Sequence, residues 1–276
     1  MSQETLVSEN DFISTYKDTS QASNQLKRLI DVLPLYESEE LAKIIAALLA
    51  DGHLQKKKYY NSYKYTYLGF FSDNPEDIER FESNFFSIFR VKGHTRKWGE
   101  RVNGNSTGHI VINAPICRIL ELSGAIAGNK TKTSFSVPLW IKNSNSSIKA
   151  AFLNELFTCE GSVTFDSFSK RWEIRFFTNK EEKLRDNVLE YLDDLKNLLY
   201  EFGIKSNFLQ KHRKIEKTLE FELRIRDKNS IVNFKRFINF GNKQKREKLE
   251  RAVSWAEKKG PVTEMSAKLS LVGAPR

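Results

Sequence analysis

The feature that most constrains this chain of 276 residues is a nine-residue phrase that occurs twice. IIAALLADG (Ile44 to Gly52) and LNELFTCEG (Leu153 to Gly161) each end an apolar, helix-forming run on an acid and a glycine, and the acids, Asp51 and Glu160, stand 160 − 51 = 109 residues apart. That spacing is too long for a solenoid repeat and suits two fused homologous halves. Each acid sits at a helix C-terminus, where the dipole disfavours negative charge by roughly 0.3–1 kcal/mol. A placement made twice against local preference points to a role for the pair.

The order of elements around the phrases repeats as well. In the first half, Ser38 caps a helix running to Ala50, with Glu39 and Glu40 favouring its first turn. Gly52 is expected to supply the backbone conformation that lets the chain turn. Strands follow at His53 to Tyr60 and Tyr63 to Phe71, then a helix opened by Asp73-Asn74-Pro75 with Ile78, Phe81, Phe85, Phe86 and Phe89 at helical spacing. Strands near Arg90 to Lys97 and Gly108 to Asn113 flank a loop, Val102 to Thr107, and a short helix spans Pro115 to Leu122. The second half repeats this with a helix at Ser147 to Cys159, strands Ser162 to Phe168 and Arg171 to Thr178, and a helix Lys180 to Phe202. Strands Ile204 to Lys211 and Thr218 to Arg226 come next, then helices Asn229 to Phe240 and Asn242 to Lys259.

The expected organisation is an N-terminal extension (1–37) with a helix Asn24 to Leu33 stopped by Pro34, a first half (38–122), a linker rich in Gly, Asn, Ser and Thr (123–146), a second half (147–260) and a tail (261–276). Strand alternation predicts one sheet face against the helices and one polar, largely basic face: Trp172, Ile174 and Phe176 point opposite to Arg171, Glu173 and Arg175, and Leu219, Phe221, Leu223 and Ile225 opposite to Glu220, Glu222, Arg224 and Arg226.

Lys+Arg 45 against Asp+Glu 35 gives a net charge of +10, which makes nucleic acid the partner class to test first. No apolar run reaches the roughly 18 residues of a membrane span, and the polar, acidic start MSQETLVSEN lacks the pattern of a secretion signal. The expected location is cytoplasmic, in the nucleoid, or in an organellar matrix, without secretion or membrane contact. Two cysteines, Cys117 and Cys159, exclude a disulfide scaffold.

Ala42, Ala46 and Ala50 recur at i, i+4, i+8 and form a stripe down which a partner helix can approach. Two motif helices packed in parallel would bring Asp51 and Glu160 together, and carboxylates so placed repel unless cations sit between them. Mg²⁺, which takes a couple of carboxylates plus water and phosphate oxygens, suits such a pair.

Over residues 38 to 260 these motifs resemble the LAGLIDADG homing endonucleases in their single-chain, two-motif form. FSVPLWI (Phe135 to Ile141) ahead of the second motif and the KQKREKLER run near the end support the likeness. The resemblance implies an α+β fold of two pseudo-symmetric αββαββα halves packed through the motif helices, each half with a four-stranded antiparallel sheet that lies in a DNA major groove. It implies a metal-dependent DNA endonuclease that makes a double-strand break with short 3′ overhangs at a long target. Asp51 and Glu160 fall on the family's metal-binding acids, with the carbonyls of Ala50 and Cys159 beside them as further ligands. Mg²⁺ is the implied cofactor, with Mn²⁺ or Ca²⁺ able to occupy the site. Lys228 falls where the family places a basic residue near the scissile phosphate, and Arg118 is the nearest counterpart in the first half. Glu155 departs from the small residues of the family's helix contact and is expected to splay the helices or lie at their edge. Thr158 and Leu49 stand where an additional acid is frequent.

Candidate DNA-binding residues are the basic side chains of the hairpins: Lys56, Lys58, Lys64, Arg96, Lys97 and Arg101 in the first half, and Lys170, Arg171, Arg175, Lys211, Arg213, Lys214, Arg224 and Arg226 in the second. The expected partner is double-stranded DNA bound by a monomer. An intron-encoded, free-standing enzyme is the favoured reading, with an RNA maturase acting on intron RNA, or a catalytically silent DNA-binding protein, as the alternative. Met1 and an ending without a His-Asn pair count against protein splicing.

Overall fold

The structure, a computed structural model, describes residues 5–29, 31–60, 62–97, 106–213 and 218–258. The N-terminal extension folds onto the first half. Strand β1 (Thr5–Val7) leads into α1 (Glu9–Ser14), which Ser8 and Asp11 close with a reciprocal capping box. Helix α2 (Thr19–Leu26) follows, and β2 (Leu35–Tyr36) returns antiparallel to β1. The helix expected at Asn24 to Leu33 is therefore displaced towards the N-terminus, because the Asp18 side chain accepts from Ser20 N and fixes the helix start there. Phe12, Leu29 and Leu33 join the main core.

Helix α3 (Glu39–Leu49) starts on Ser38, whose Oγ accepts from Leu41 N at 3.1 Å. Strands β3 (Gly52–Tyr59) and β4 (Ser62–Ser72) form the first hairpin. Helix α4 (Pro75–Phe89) buries Ile78, Phe81, Phe85 and Phe89, as their spacing predicts. Strands β5 (His94–Lys97) and β6 (Thr107–Val111) and helix α5 (Ala114–Leu122) complete the half. The loop expected at Val102 to Thr107 lies largely outside the described residues, as does Arg101.

A short 3₁₀ turn at Lys130–Lys132 and helix α6 (Leu139–Asn143) lead into α7 (Ser146–Glu160). The second half continues with β7 (Gly161–Asp166), β8 (Arg171–Glu181), α8 (Arg185–Glu201), β9 (Asn207–Arg213) and β10 (Thr218–Ile225). Strand β8 runs past Thr178, where a helix was expected from Lys180, because its pairing with β10 continues through Leu219↔Lys180 to Thr218↔Glu181. The helix expected over Asn229 to Phe240 is α9 (Lys228–Asn233) followed by a π turn at Phe234–Ile238, ended by Asn239 at φ +61°. Helix α10 (Lys243–Lys258) ends the described chain.

The two four-stranded antiparallel sheets have the same order, β3-β4-β6-β5 and β7-β8-β10-β9, so the fold is mixed α and β with the duplication visible in its topology. Leu68 and Phe70 in one sheet, and Ile174, Phe176, Phe221 and Leu223 in the other, are buried on the faces that meet the helices. Between the sheets α3 and α7 pack on each other, and Ala42, Ala46 and Ala50 are buried along with most of α3. Glu155 neither splays these helices nor lies at an exposed edge. It is buried and held by Arg80 of α4, Nε to Oε2 at 2.7 Å and Nη2 to Oε1 at 3.0 Å, while Arg80 Nη1 donates to Asp77 at 2.8 Å.

Candidate active site

The acids stand where the repeat predicts. Asp51 follows Ala50, the residue that ends α3, and Glu160 is the last residue of α7. The glycines after them serve close approach and not turning. Neither has positive φ, and Gly161 is extended at φ −89° and ψ 158°. A Cβ at Gly161 would lie 2.4 Å from Phe157 O, and one at Gly52 would lie 2.7 Å from Leu48 Cα. Each first strand leaves its helix pressed against the last turn, which leaves the carboxylate at the helix end.

Burial raises the Glu160 carboxyl, and the neighbouring Asp51 charge raises it further, to about 7. Asp51 is raised as well, chiefly by its surroundings, against the pull of Lys130 and Lys245. Those two lysines are the cations that act on both acids, and neither was among the sequence candidates.

Each lysine also seals one motif helix. Lys130 Nζ donates to Gly52 O at 2.8 Å and approaches Leu48 O at 3.5 Å. Lys245 Nζ, from α10, donates to Thr158 O, and to Cys159 O at 3.1 Å. Both ammonium groups lose basicity through burial and regain part of it from the acids. The Cys159 carbonyl, expected to be a metal ligand, is thus occupied by Lys245. Thr158, at a position where a further acid was conceivable, ties the turn before α10 in place: its Oγ1 donates to Asn154 O and accepts from Gly241 N, both at 2.6 Å.

Lys130 belongs to the linker, and the linker is built into the site. Gly128 N donates to Leu54 O at 2.9 Å, which fastens the segment to the edge of β3. From the other half, Lys180 of β8 reaches through the core, donates to Thr133 O at 2.8 Å and also to Lys130 O, and lies over the Phe135 ring. The turn that presents Lys130 is therefore gripped from both halves. The signal in the sequence was a pair of lysines, Lys130 and Lys132, in an otherwise small and polar stretch.

Other candidates fall elsewhere. Lys228 opens α9 and lies over the Trp255 ring at 5.5 Å, and it is not among the cations acting on the acids. Arg118 lies over the Tyr16 ring at 4.2 Å and donates to Thr15 O, binding the N-terminal extension. Lys56 pairs with Glu121 at 2.9 Å and lies over Tyr65, because a bulge at Gln55/Lys56 shifts the β3 register. Lys58, Lys64, Arg96 and Lys97 are exposed on the first hairpins, and Lys170 and Arg171 on the second-half hairpin. Lys211 and Arg213 lie on β9, and Lys214 is outside the described residues. Arg175, Arg224 and Arg226 form ion pairs with two buried glutamates, Glu173 and Glu222, so that face is less basic than strand alternation predicted.

Residues 147–239 match the model of a LAGLIDADG-like domain. Among curated proteins, the chain is 28% identical over 218 residues to the tRNA-splicing ligase RtcB of Methanopyrus kandleri, covering 74% of this chain and 21% of that protein. It is 24% identical over 174 residues to the replication factor C small subunit of Methanocaldococcus jannaschii, covering 62% of this chain and 9% of that one. The chain thus spans less than a quarter of either relative. Among solved structures, the homing endonuclease I-WcaI bound to its DNA recognition sequence superposes with a TM-score of 0.51 at 14% identity, covering 88% of this chain and 98% of that one.

Proposed function

The chain carries a LAGLIDADG-like domain within the LAGLIDADG fold, and from that premise we propose that it is a site-specific double-strand DNA endonuclease. It hydrolyses phosphodiester bonds with a divalent metal and leaves short 3′ overhangs at a long target. The observation that carries this reading is the meeting of Asp51 and Glu160 at the ends of two packed helices, each end sealed by a lysine.

The donor set fits Mg²⁺. No group of three or more His, Cys, Asp or Glu gathers among the described residues, so the protein's share is two carboxylates, with the remaining positions left to water and phosphate oxygens as Mg²⁺ prefers. When bound, such an ion activates water and stabilises the leaving oxygen. Asp51 and Glu160 fix where that charge sits. Lys130 and Lys245 set positive charge beside the scissile phosphates, where fixed cations offset charge that develops during the reaction. Mn²⁺ or Ca²⁺ suits the same donors. Basic side chains on the hairpins hold the duplex by its phosphates.

The relatives support a module with an activity of its own, since the likeness covers only 21% of a tRNA-splicing ligase and 9% of a replication factor C subunit. We place the chain among monomeric, intron-encoded enzymes. A catalytically silent DNA-binding protein is the second reading, favoured by one observation: the Lys245 ammonium already engages the Cys159 carbonyl.

The deciding experiment incubates the full chain with a random duplex library and Mg²⁺ or Mn²⁺ and sequences bound and cut molecules. Cutting by the wild type, with binding but no cutting by Asp51→Asn and Glu160→Gln, supports the endonuclease. Selective binding with no cutting under any metal supports the silent protein, and activity confined to an intron-splicing assay supports a maturase.

A further inference from the structure

The two sheets are built alike but surfaced differently at equivalent positions. The motif glycines set the equivalence: Gly52 pairs with Phe70 and Gly161 with Phe176. Counting from there, on the faces turned away from the helices, Tyr67 corresponds to Glu173, Gly69 to Arg175, Gly108 to Glu222, Ile110 to Arg224 and Ile112 to Arg226. The pairs Gly69↔Ile110 and Arg175↔Arg224 confirm the register.

In the second sheet these positions make a row of alternating charge across the two central strands. Arg175 Nε donates to Glu173 Oε2 at 2.9 Å, and Arg226 Nε lies 2.7 Å from Glu173 Oε1. On its other flank Arg175 Nε lies 3.3 Å from Glu222 Oε1, and Arg224 Nη2 donates to Glu222 Oε2 at 2.6 Å. The carboxylates are covered and the arginines form the outer layer, with the side chains of Arg175 and Arg226 at 25% and 44% exposure against 1% for Glu173. Arg175 meets Glu173 through an Nε hydrogen bond, and Arg226 meets it as an ion pair at Nε. No hydrogen bond engages their Nη groups among the described residues, so the outer donors remain for a ligand.

In the first sheet the same positions carry no charge: Tyr67, Gly69, Gly108, Ile110 and Ile112. Phe71 lies across Gly69 and Gly108, where an added Cβ would meet its ring at 2.9 and 2.8 Å. Ile110 is buried beside it on this outer face, and Ile112 is 74% exposed.

Resting on the endonuclease reading, we infer that the two halves read their half-sites by different chemistry: Arg175 and Arg226, held by Glu173, read guanines, while Phe71 and Ile112, with Ile110 packed beneath them, read thymine methyl groups. A guanidinium presents two donors to the O6 and N7 of guanine, and an apolar side chain fits the thymine methyl in the major groove. The covered carboxylates beneath these guanidiniums offset part of their charge and hold them in place, which suits base readout better than phosphate neutralisation. Glu173 is a positioning residue, since it holds Arg175 by a hydrogen bond and Arg226 by an ion pair from beneath.

The test is selection of bound duplexes from a random library by the full chain in EDTA, repeated with Glu173→Gln, Arg226→Lys and Ile112→Ser. In one half-site, the wild type should favour guanine about tenfold at two positions. Glu173→Gln should flatten those positions and steepen the salt dependence. Arg226→Lys should flatten one of them while keeping the charge and the salt dependence. Ile112→Ser should weaken a thymine preference in the other half-site only. Enriched duplexes whose base preferences are the same in the wild type and all three folded variants would overturn this inference and leave the endonuclease reading standing. Enrichment of no duplex at all would overturn both.

Discussion

Arg80, on α4 of the first half, and Glu155, on α7 of the second, form a two-pronged ion pair across the interface between the halves. Despite burial, the bonds from Glu155 and Asp77 hold the guanidinium well above its ordinary basicity. Gly241 makes room for it, since a Cβ there would lie 2.8 Å from Arg80 Cζ. Removing one member of a buried pair strands the other, at about 3–5 kcal/mol. Arg80→Met and Glu155→Leu should each lower unfolding stability by roughly that amount. The double variant should lose clearly less than the sum of the two, as residues in one network do not add. Denaturant melts of the three proteins check this.

The raised Glu160 carboxyl gives metal binding a pH dependence with a definite sign. A carboxylate must be ionised to hold a cation. Below about 7, Mg²⁺ must therefore displace a proton from Glu160, and above it need not. Calorimetry at pH 6 in buffers of different ionisation enthalpy should show proton release that fades by pH 8.5 and is lost in Glu160→Gln. Linkage adds a second readout: the folded protein binds this proton more tightly than the unfolded chain, so metal-free stability should fall as pH rises from 4.5 to about 7. Glu160→Gln should flatten that slope.

Lys130 and Lys245 each seal one motif helix, so their loss should not be symmetric. Lys130→Met and Lys245→Met should each slow cleavage by about 10²-fold, the scale of losing one preorganised charge-stabilising donor. Both should accumulate nicked duplex, with opposite strands left uncut. Strand-specific end labels on a denaturing gel separate the two outcomes.

Gly161→Ala tests why the motif glycine is there. Its backbone is extended, so alanine meets no conformational penalty, but its Cβ would press on Phe157 O. Overpacking of this kind costs typically about 1–3 kcal/mol. Gly128, at φ +94° with no atom within 4 Å of a Cβ, is the opposite case, strained by conformation and not by space. Comparing thermal melts of Gly161→Ala and Gly161→Ser shows whether the loss grows with side-chain size, as crowding requires.

Where side chains repeat with the period of an element, the fold was readable beforehand. The phenylalanines of α4, the alternating β10 strand and the two motif helices all lie within a few residues of expectation. Position-independent features were not. Nothing periodic marks Lys130, because its place follows from a backbone turn held by Lys180 from the other half. Lys180 itself looked like a helix start, and only the long-range pairing with β10 makes it strand and core. Glu173 and Glu222 sat correctly on the polar faces of their strands, but their burial under arginines depends on partners two strands' worth of sequence away.

The grip of Lys180 on the Lys130 turn changes what the halves can do separately. A duplicated gene ordinarily leaves two interchangeable copies, each able to pair with its twin. Here the segment between the copies donates a cation to the shared centre and is itself anchored in the second copy. A chain cut ahead of Lys130 would part that cation from the first copy, and a chimera that joins the first half to a foreign twin would lose the Lys180 grip that holds its turn. The duplication has become irreversible in the sense that the connector is now part of what it connects.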